Sequence, residues 1–224
     1  MGVWVLDSTN VYRVLPLSEI PWLEHGFGTR FSEDWPDQER LVTLRQIHSN
    51  RVVRVGGALK AGRIGEGDAL ITNQPGILIG VRTADCVPIL LVDVARRAVA
   101  AVHAGWRGVV GEVAIRTVEA LQREYGSQPS ELRAAIGPAI GQCCYEVGPE
   151  VASRLRPWFP ERDDLERRTH VDLGEANRRQ LMAVGLLAER IISGAPCTFC
   201  TPGLYSYRRE GGDGRMISAI GVRE

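Results

Sequence analysis

Between Gly76 and His103 the chain carries three apolar, strand-sized runs in close succession: Gly76 to Val81, Val87 to Asp93 and Ala98 to His103. Each is apolar at consecutive rather than alternate positions. That is the pattern of strands covered on both faces, and it is too short to span a bilayer. A fold that accommodates them must cover both sides of these strands.

The flanking segments supply more strands and a few helices. Short extended stretches are expected at His25 to Arg30, Leu41 to Gln46 and Arg51 to Val55, with a polar loop from Ser32 to Glu39. After Gly105 the period changes, and Val110, Val113, Ala114, Thr117 and Leu121 mark one face of a helix that runs to Tyr125 and stops at Gly126. Leu132 to Ile136 reads as a returning strand, and Glu150 to Trp158 and Gly174 to Val184 as helices. Tyr205 to Arg209 and Met216 to Val222 read as a closing strand pair around Gly211-Gly212-Asp213-Gly214. Strands interrupted by a few helices imply an α+β fold with mixed β-sheets packed with helices, rather than a regular βαβ repeat. No internal repeat, linker or Gly-rich dinucleotide fingerprint breaks the chain, so residues 1–224 read as a single domain.

Charge narrows the partner. Lys plus Arg and Asp plus Glu number 27 each, which gives no basic footprint for nucleic acid or acidic membranes and points to a small molecule. Lys60, in the Gly/Ala-rich stretch from Gly56 to Gly62, is the only lysine, which leaves Schiff-base or phosphate-loop lysine chemistry one unpromising residue. The N-terminus shows no basic segment followed by a long apolar core, and five cysteines make an odd number; both features fit a reducing cytoplasm.

The chain has four histidines, His25, His48, His103 and His170. His48 and His103 stand at predicted strand ends, and Cys86 lies at a loop-to-strand junction between them. Two histidines and one cysteine brought together give a three-ligand tetrahedral zinc site with one open position. Water there would have its pKa lowered towards neutrality. Asp85 and Asp68 are candidates to orient ligands or move protons. The residues alone leave two other readings open: a buried thiol with two ordinary histidines, and a metal-free hydrolase or deamidase with Cys86 as nucleophile and His103 as base. Arg30, Arg82, Arg107, Arg208 and Arg209 fall at strand ends or turns where a phosphate could be gripped. Trp106, Tyr145, Tyr205 and Tyr207 could stack on a base. Cys197-Thr198-Phe199-Cys200 is a lone C-x-x-C, and the adjacent pair Cys143-Cys144 looks unsuited to complete a metal site, so all four are expected to be buried and reduced.

Several segments together resemble the laccase-domain family, whose members were called multicopper polyphenol oxidases and are described as purine nucleoside phosphorylases. They are Gln46-Ile47-His48-Ser49, Gly67-Asp68-Ala69-Leu70-Ile71-Thr72, Thr83-Ala84-Asp85-Cys86-Val87-Pro88, Val102-His103-Ala104-Gly105-Trp106-Arg107-Gly108, the run Gly137 to Val147 and Tyr205-Ser206-Tyr207-Arg208-Arg209. The resemblance implies zinc ligands at His48, Cys86 and His103; beside them, Asp85, Asp68 and Arg107 are the candidate catalytic residues, and Arg30, Arg82 and Arg208 the candidate contacts to substrate or phosphate. It also implies phosphorolysis of adenosine, inosine and methylthioadenosine, deamination of adenosine, and a sandwich shared with toxin deamidases of the cytotoxic-necrotizing-factor type. Cu2+ can compete for the same N/S ligands. A multicopper oxidase needs more imidazoles than four histidines supply. The chain departs from the family in one place: only Phe31 to Arg45 separates the Gly-Phe-Gly-Thr-Arg segment from Gln-Ile-His, where the family usually has a Gly-rich loop, a Ser-Leu-Asn segment and an Asn-Arg pair.

Overall fold

A computed structural model describes residues 3–57 and 60–224. Met1 and Gly2, and Ala58 and Leu59 within the Gly/Ala-rich stretch from Gly56 to Gly62, lie outside the described residues. Two large mixed sheets dominate. One has seven strands in the order Trp4–Leu6, Val11–Val14, Leu23–Gly28, Met216–Val222, Leu78–Thr83, Leu41–Arg45 and Gly62–Glu66. The other has six, in the order Ile191–Ile192, Arg133–Ile136, Val87–Asp93, Ala98–Ala104, Ala69–Thr72 and Val52–Arg54. The short strands Glu146–Val147 and Thr169–His170 pair separately.

The apolar runs are covered on both faces. Leu90, Val92, Val99 and Ala101 of the six-stranded sheet share a core with Phe27, Val42, Ile79 and Ile220 of the other sheet. Their alternates Ile89, Leu91, Ala100 and Val102 face Val113, Val118 and Leu121 of the helix Val113–Tyr125, and Ala176 and Leu181 of the helix Leu173–Ala183. Successive strand residues point to opposite faces, so a central sheet lying between a sheet and a helix layer must be apolar at every position.

The helix Val113–Tyr125 ends at Gly126, whose φ of 69° suits the left-handed cap, as its sequence suggests. Asp172 caps Leu173–Ala183 by accepting the Glu175 N–H at 2.8 Å. Two expectations need correction. Tyr205 to Arg209 is not a strand: Ser206 accepts the Arg209 N–H and starts a short helix, Tyr207–Glu210, closed by Gly211. Glu150 to Trp158 is a short α-helix, Pro149–Ala152, that tightens into a 3₁₀ turn over Ser153–Trp158, where Pro157 has no N–H to continue an α-helix. Among the described residues no helix is long and apolar enough to cross a membrane.

His25 is buried in the seven-stranded sheet, where its Nε2 accepts the Val14 N–H at 3.1 Å. Burial first, then the charges of Arg13 and Arg223, lower its pKa from 6.5 to about 4. The unfolded chain therefore takes up this proton at higher pH than the folded one. The stability that neutral His25 contributes is full above pH 6.5 and falls as the pH drops towards 4, by roughly 3 kcal/mol at most. Urea unfolding across this range is expected to show that loss, and His25→Gln, which keeps an acceptor but does not titrate, is expected to flatten it. An unchanged pH dependence in the variant would contradict this role.

Candidate metal centre and cavity

Register in the six-stranded sheet assembles the site. Strand Ala98–Ala104 pairs His103 with Pro88 and Ala104 with Val87, which brings Cys86, one residue upstream, beside the end of that strand. On the other side Val102 pairs with Ala69, which sets Asp68 next to His103. The link Ala84-Asp85-Cys86 passes from a strand of one sheet to a strand of the other. Asp85 takes a φ of 83° in it, and His48 a φ of 57° in its own loop; both are uncommon for non-glycine residues and recur at functional sites.

One buried carboxylate fixes most of this geometry. Asp68 Oδ1 accepts the His48 N–H at 3.0 Å and lies 2.8 Å from His103 Nδ1. Its Oδ2 accepts the Ser49 N–H at 2.6 Å, the Ser49 hydroxyl at 2.7 Å and the Ile47 N–H at 3.3 Å. Burial pushes the carboxyl pKa up, but His103 and Ser49 outweigh it and hold it at about 2. Asp68 is fully buried and its acceptor positions are filled, which suits a group that orients its neighbours.

With Nδ1 donating to Asp68, the Nε2 of His103 is left for a ligand. One ligand atom each from His48, Cys86 and His103 lie within 4.8 Å of one another, and the two imidazoles meet edge to face at 5.0 Å. Burial would raise the Cys86 pKa, but His103 and then His48 bring it to about 6. Burial would lower that of His103, but Asp68 and Cys86 lift it to about 9. Without a cation the pair is thus a thiolate beside an imidazolium, and a metal would take the place of the proton. An N₂S donor set with one histidine locked by a carboxylate suits a divalent transition metal with an open fourth position. Backbone crowding helps to hold the group together: a Cβ on Gly105 would fall 2.9 Å from Cys86 Sγ and 3.2 Å from His48 Cδ2.

The donors form one wall of a cavity of about 730 Å³, within the range of small-ligand sites. Trp106, Tyr145 and Tyr207 contribute aromatic surface, and Arg45, Arg63, Arg82, Arg208 and Arg215 contribute positive charge. Asp85 also lines it; its Oδ1 accepts the Thr198 hydroxyl at 2.6 Å and its Oδ2 the Arg208 N–H at 2.7 Å. Arg208 lies over the Tyr145 ring, and Arg107 lies over Trp106 on a smaller adjoining recess that Cys86 and His48 share. Arg45 is paired with Glu66, whereas the guanidinium groups of Arg63 and Arg82 have no carboxylate partner among the described residues.

Two expected contacts lie elsewhere. Arg30 bonds Glu210 and the Leu204 carbonyl and lies over Tyr205, so neither it nor Tyr205 borders the cavity. Arg209 spends its guanidinium on the carbonyls of Thr198, Phe199 and Leu204. Arg63 and Arg215 were not expected at the site; they come from the polar strand Gly62–Glu66 and from the turn after Gly214, and neither segment carries a local chemical pattern.

Residues 30–223 match the model of the multi-copper polyphenol oxidoreductase laccase family. The chain belongs to this family. It is 42% identical to the purine nucleoside phosphorylase of Deinococcus radiodurans over 185 residues, which cover 80% of this chain and 69% of that protein. It is 40% identical to adenosine deaminase RL5 of an unknown prokaryotic organism, over 82% of this chain and 76% of that one. Among solved structures, YlmD from Geobacillus stearothermophilus superposes with a TM-score of 0.90 at 29% identity over the full length of both chains. The family's α+β sandwich is thus the fold of this chain.

Substitution of Asp68 tests the scaffold. Asp68→Asn retains the volume but loses charge and acceptor capacity, and is expected to weaken metal binding at the His48–Cys86–His103 group by about 10–100-fold in competition with a chromophoric chelator. Unchanged affinity would show that the carboxylate does not organise the donors.

Proposed function

We propose that this protein is a zinc-dependent purine nucleoside phosphorylase acting on adenosine, inosine and methylthioadenosine, with adenosine deaminase activity at the same site. The observation that carries this reading is the meeting of three metal donors, aromatic faces and unpaired arginines on one cavity. The names of the relatives give the reaction class. Residues 1–224 act as one catalytic domain, since the two sheets share a core. Five unpaired cysteines suit a reducing cytoplasm.

His48, Cys86 and His103 would hold the zinc, which when bound supplies Lewis acidity and lowers the pKa of water at its open position. Tyr145, Trp106 and Tyr207 offer faces for the purine. Burial pushes the Tyr145 phenol up to about 12, so it stays neutral and available as a donor. Arg82 and Arg63 grip the phosphate, with Arg208 beside them, and Arg107 acts from the adjoining recess. In phosphorolysis a phosphate oxygen bonds to the ribose C1′ as the bond from C1′ to N9 breaks, and the base leaves with a proton. In deamination water adds at the purine C6 and ammonia leaves. Asp85, on the cavity wall beside Cys86, moves the proton from the attacking oxygen to the departing nitrogen. The Thr198 hydroxyl and the Arg208 N–H hold its carboxylate in place. The arginines supplied by Gly62–Glu66 and by the turn after Gly214 offer phosphate contacts where the family's usual N-terminal segments are missing.

One observation favours a second reading. Asp68, His103 and Cys86 stand in the order orienter, base and nucleophile, with the thiol at about 6, as in a metal-free cysteine hydrolase. His48 has no part in that scheme, whereas it completes the metal donor set. A copper oxidase fits least: His25 is buried against Val14 and His170 sits on the separate two-stranded sheet, so two of the four imidazoles are unavailable.

Incubation with adenosine and phosphate is expected to yield adenine with ribose 1-phosphate, and inosine with ammonia. Arg82→Ala is expected to raise the KM for phosphate about tenfold, the equivalent of one charge-assisted contact, and to leave deamination within about twofold, since that reaction needs no phosphate. Absence of every product from zinc-loaded protein would overturn the nucleoside reading.

A further inference from the structure

Four of the five cysteines are gathered at a second place. Cys143, Cys144, Cys197 and Cys200 all lie with their sulfurs within 4.8 Å of one another, outside the cavity described above. This corrects the expectation of separate, buried thiols: Cys143 and Cys200 are exposed, and Cys144 and Cys197 half-buried. Cys144 Sγ is 3.3 Å from Cys200 Sγ and 3.5 Å from Cys143 Sγ, and Cys143 Sγ is 3.8 Å from Cys200 Sγ. We propose that these four thiols form a closed tetrathiolate site for a single structural zinc ion.

The spacing argues for one ion. Four thiolates at about 2.3 Å from a tetrahedral zinc stand about 3.8 Å apart. The observed separations lie close to that cage. They are too long for a sulfur–sulfur bond, and too short for a multi-iron cluster, whose ligands must reach around several metal atoms. Three sulfurs at similar mutual distances select no disulfide pair. The adjacent cysteines do supply two ligands, contrary to expectation, because the turn after Gly141 directs both sulfurs to one side: the Gly141 carbonyl accepts the N–H groups of both Cys144 and Tyr145. The C-x-x-C arm is folded by the Thr201 N–H donating to the Cys197 carbonyl at 3.0 Å. Gly141 N–H points to Cys197 Sγ at 3.2 Å, an outer contact that supports a thiolate. Gly141 itself leaves room for both arms, since a Cβ there would sit 3.3 Å from Cys143 Sγ and 3.5 Å from Cys197 Sγ.

The ion would clasp two segments that build the cavity. Ala139 bridges to Cys197, and the Thr198 N–H donates to the Ala139 carbonyl at 2.9 Å. One segment leads directly into Tyr145. The other carries Thr198, whose hydroxyl holds Asp85. A closed site with four protein ligands offers no position to a substrate, so its role is to position these loops.

The test reads metal rather than turnover, so it stands or falls apart from the nucleoside reading. Protein purified with reductant and without chelator is expected to hold about two zinc ions per chain, and Cys86→Ala about one. The zinc absorption edge of Cys86→Ala should then show a shell of sulfur alone at about 2.3 Å. Cobalt loaded into the same variant should give intense thiolate charge-transfer bands with tetrahedral ligand-field bands. Cys197→Ser/Cys200→Ser is expected to lose this ion and keep the one bound by nitrogen and sulfur. A zinc-free Cys86→Ala chain with four titratable thiols, a disulfide within the group, or a shell containing nitrogen would each overturn the proposal. The Cys86→Ala spectra decide it even if the double variant fails to fold.

Discussion

The carboxylate of Asp68 is the interaction on which the site depends. It is fully buried, yet it is charged because two segments direct their donors at it: the loop Ile47-His48-Ser49 and the imidazole of His103. A buried charge without such partners would cost several kcal/mol. Here the same contacts that offset desolvation also hold the left-handed backbone of His48 and leave Nε2 of His103 free for a ligand. Sheet register places Asp68 and Cys86 on either side of His103, and the carboxylate turns that placement into a donor set.

The scaffold explains why the chemistry sits where it does. The six-stranded sheet is packed between the other sheet and the helices, so its central strands are apolar throughout and polar function must collect at their ends. Cys86 precedes Val87, Asp68 precedes Ala69, and His103 stands at the end of its strand. Each lies at the rim of a rigid element, where strand pairing fixes its position. The arginines and aromatic rings that complete the cavity come from several elements: Arg45, Arg63 and Arg82 from the seven-stranded sheet, Trp106, Tyr207 and Arg208 from short helices, and Tyr145 and Arg215 from the connections between elements.

Much of this was legible in the sequence. The continuous apolar runs gave the doubly covered strands, and the change of period ending at Gly126 gave the helix. Residue types at strand ends, joined to the family segments, singled out His48, Cys86 and His103. Other features depend on contacts that the local pattern does not encode. Tyr205-Ser206-Tyr207 alternates like a strand, but the Ser206 hydroxyl caps a helical turn. Asp68 and Asp85 look equivalent beside their motifs and both are buried, but Asp85 borders the cavity whereas Asp68 spends its oxygens on the His48 loop and His103. Arg30 reads as a phosphate contact until Glu210, distant in sequence, is seen to claim it. The cysteines looked unsuited to a shared ion because the turn at Gly141 and the bridge from Ala139 to Cys197, which join them, leave no trace in their spacing.

The central claim is that the His48–Cys86–His103 group works as a metal centre and not as a cysteine nucleophile with its base. Stepwise return of zinc to metal-free protein, with nucleoside conversion and the nitrogen–sulfur coordination shell followed together, tests this most directly. Conversion is expected to rise in proportion to occupancy of the nitrogen–sulfur site and to be absent before zinc is added. Full conversion by the metal-free protein, abolished by alkylation of Cys86, would contradict it.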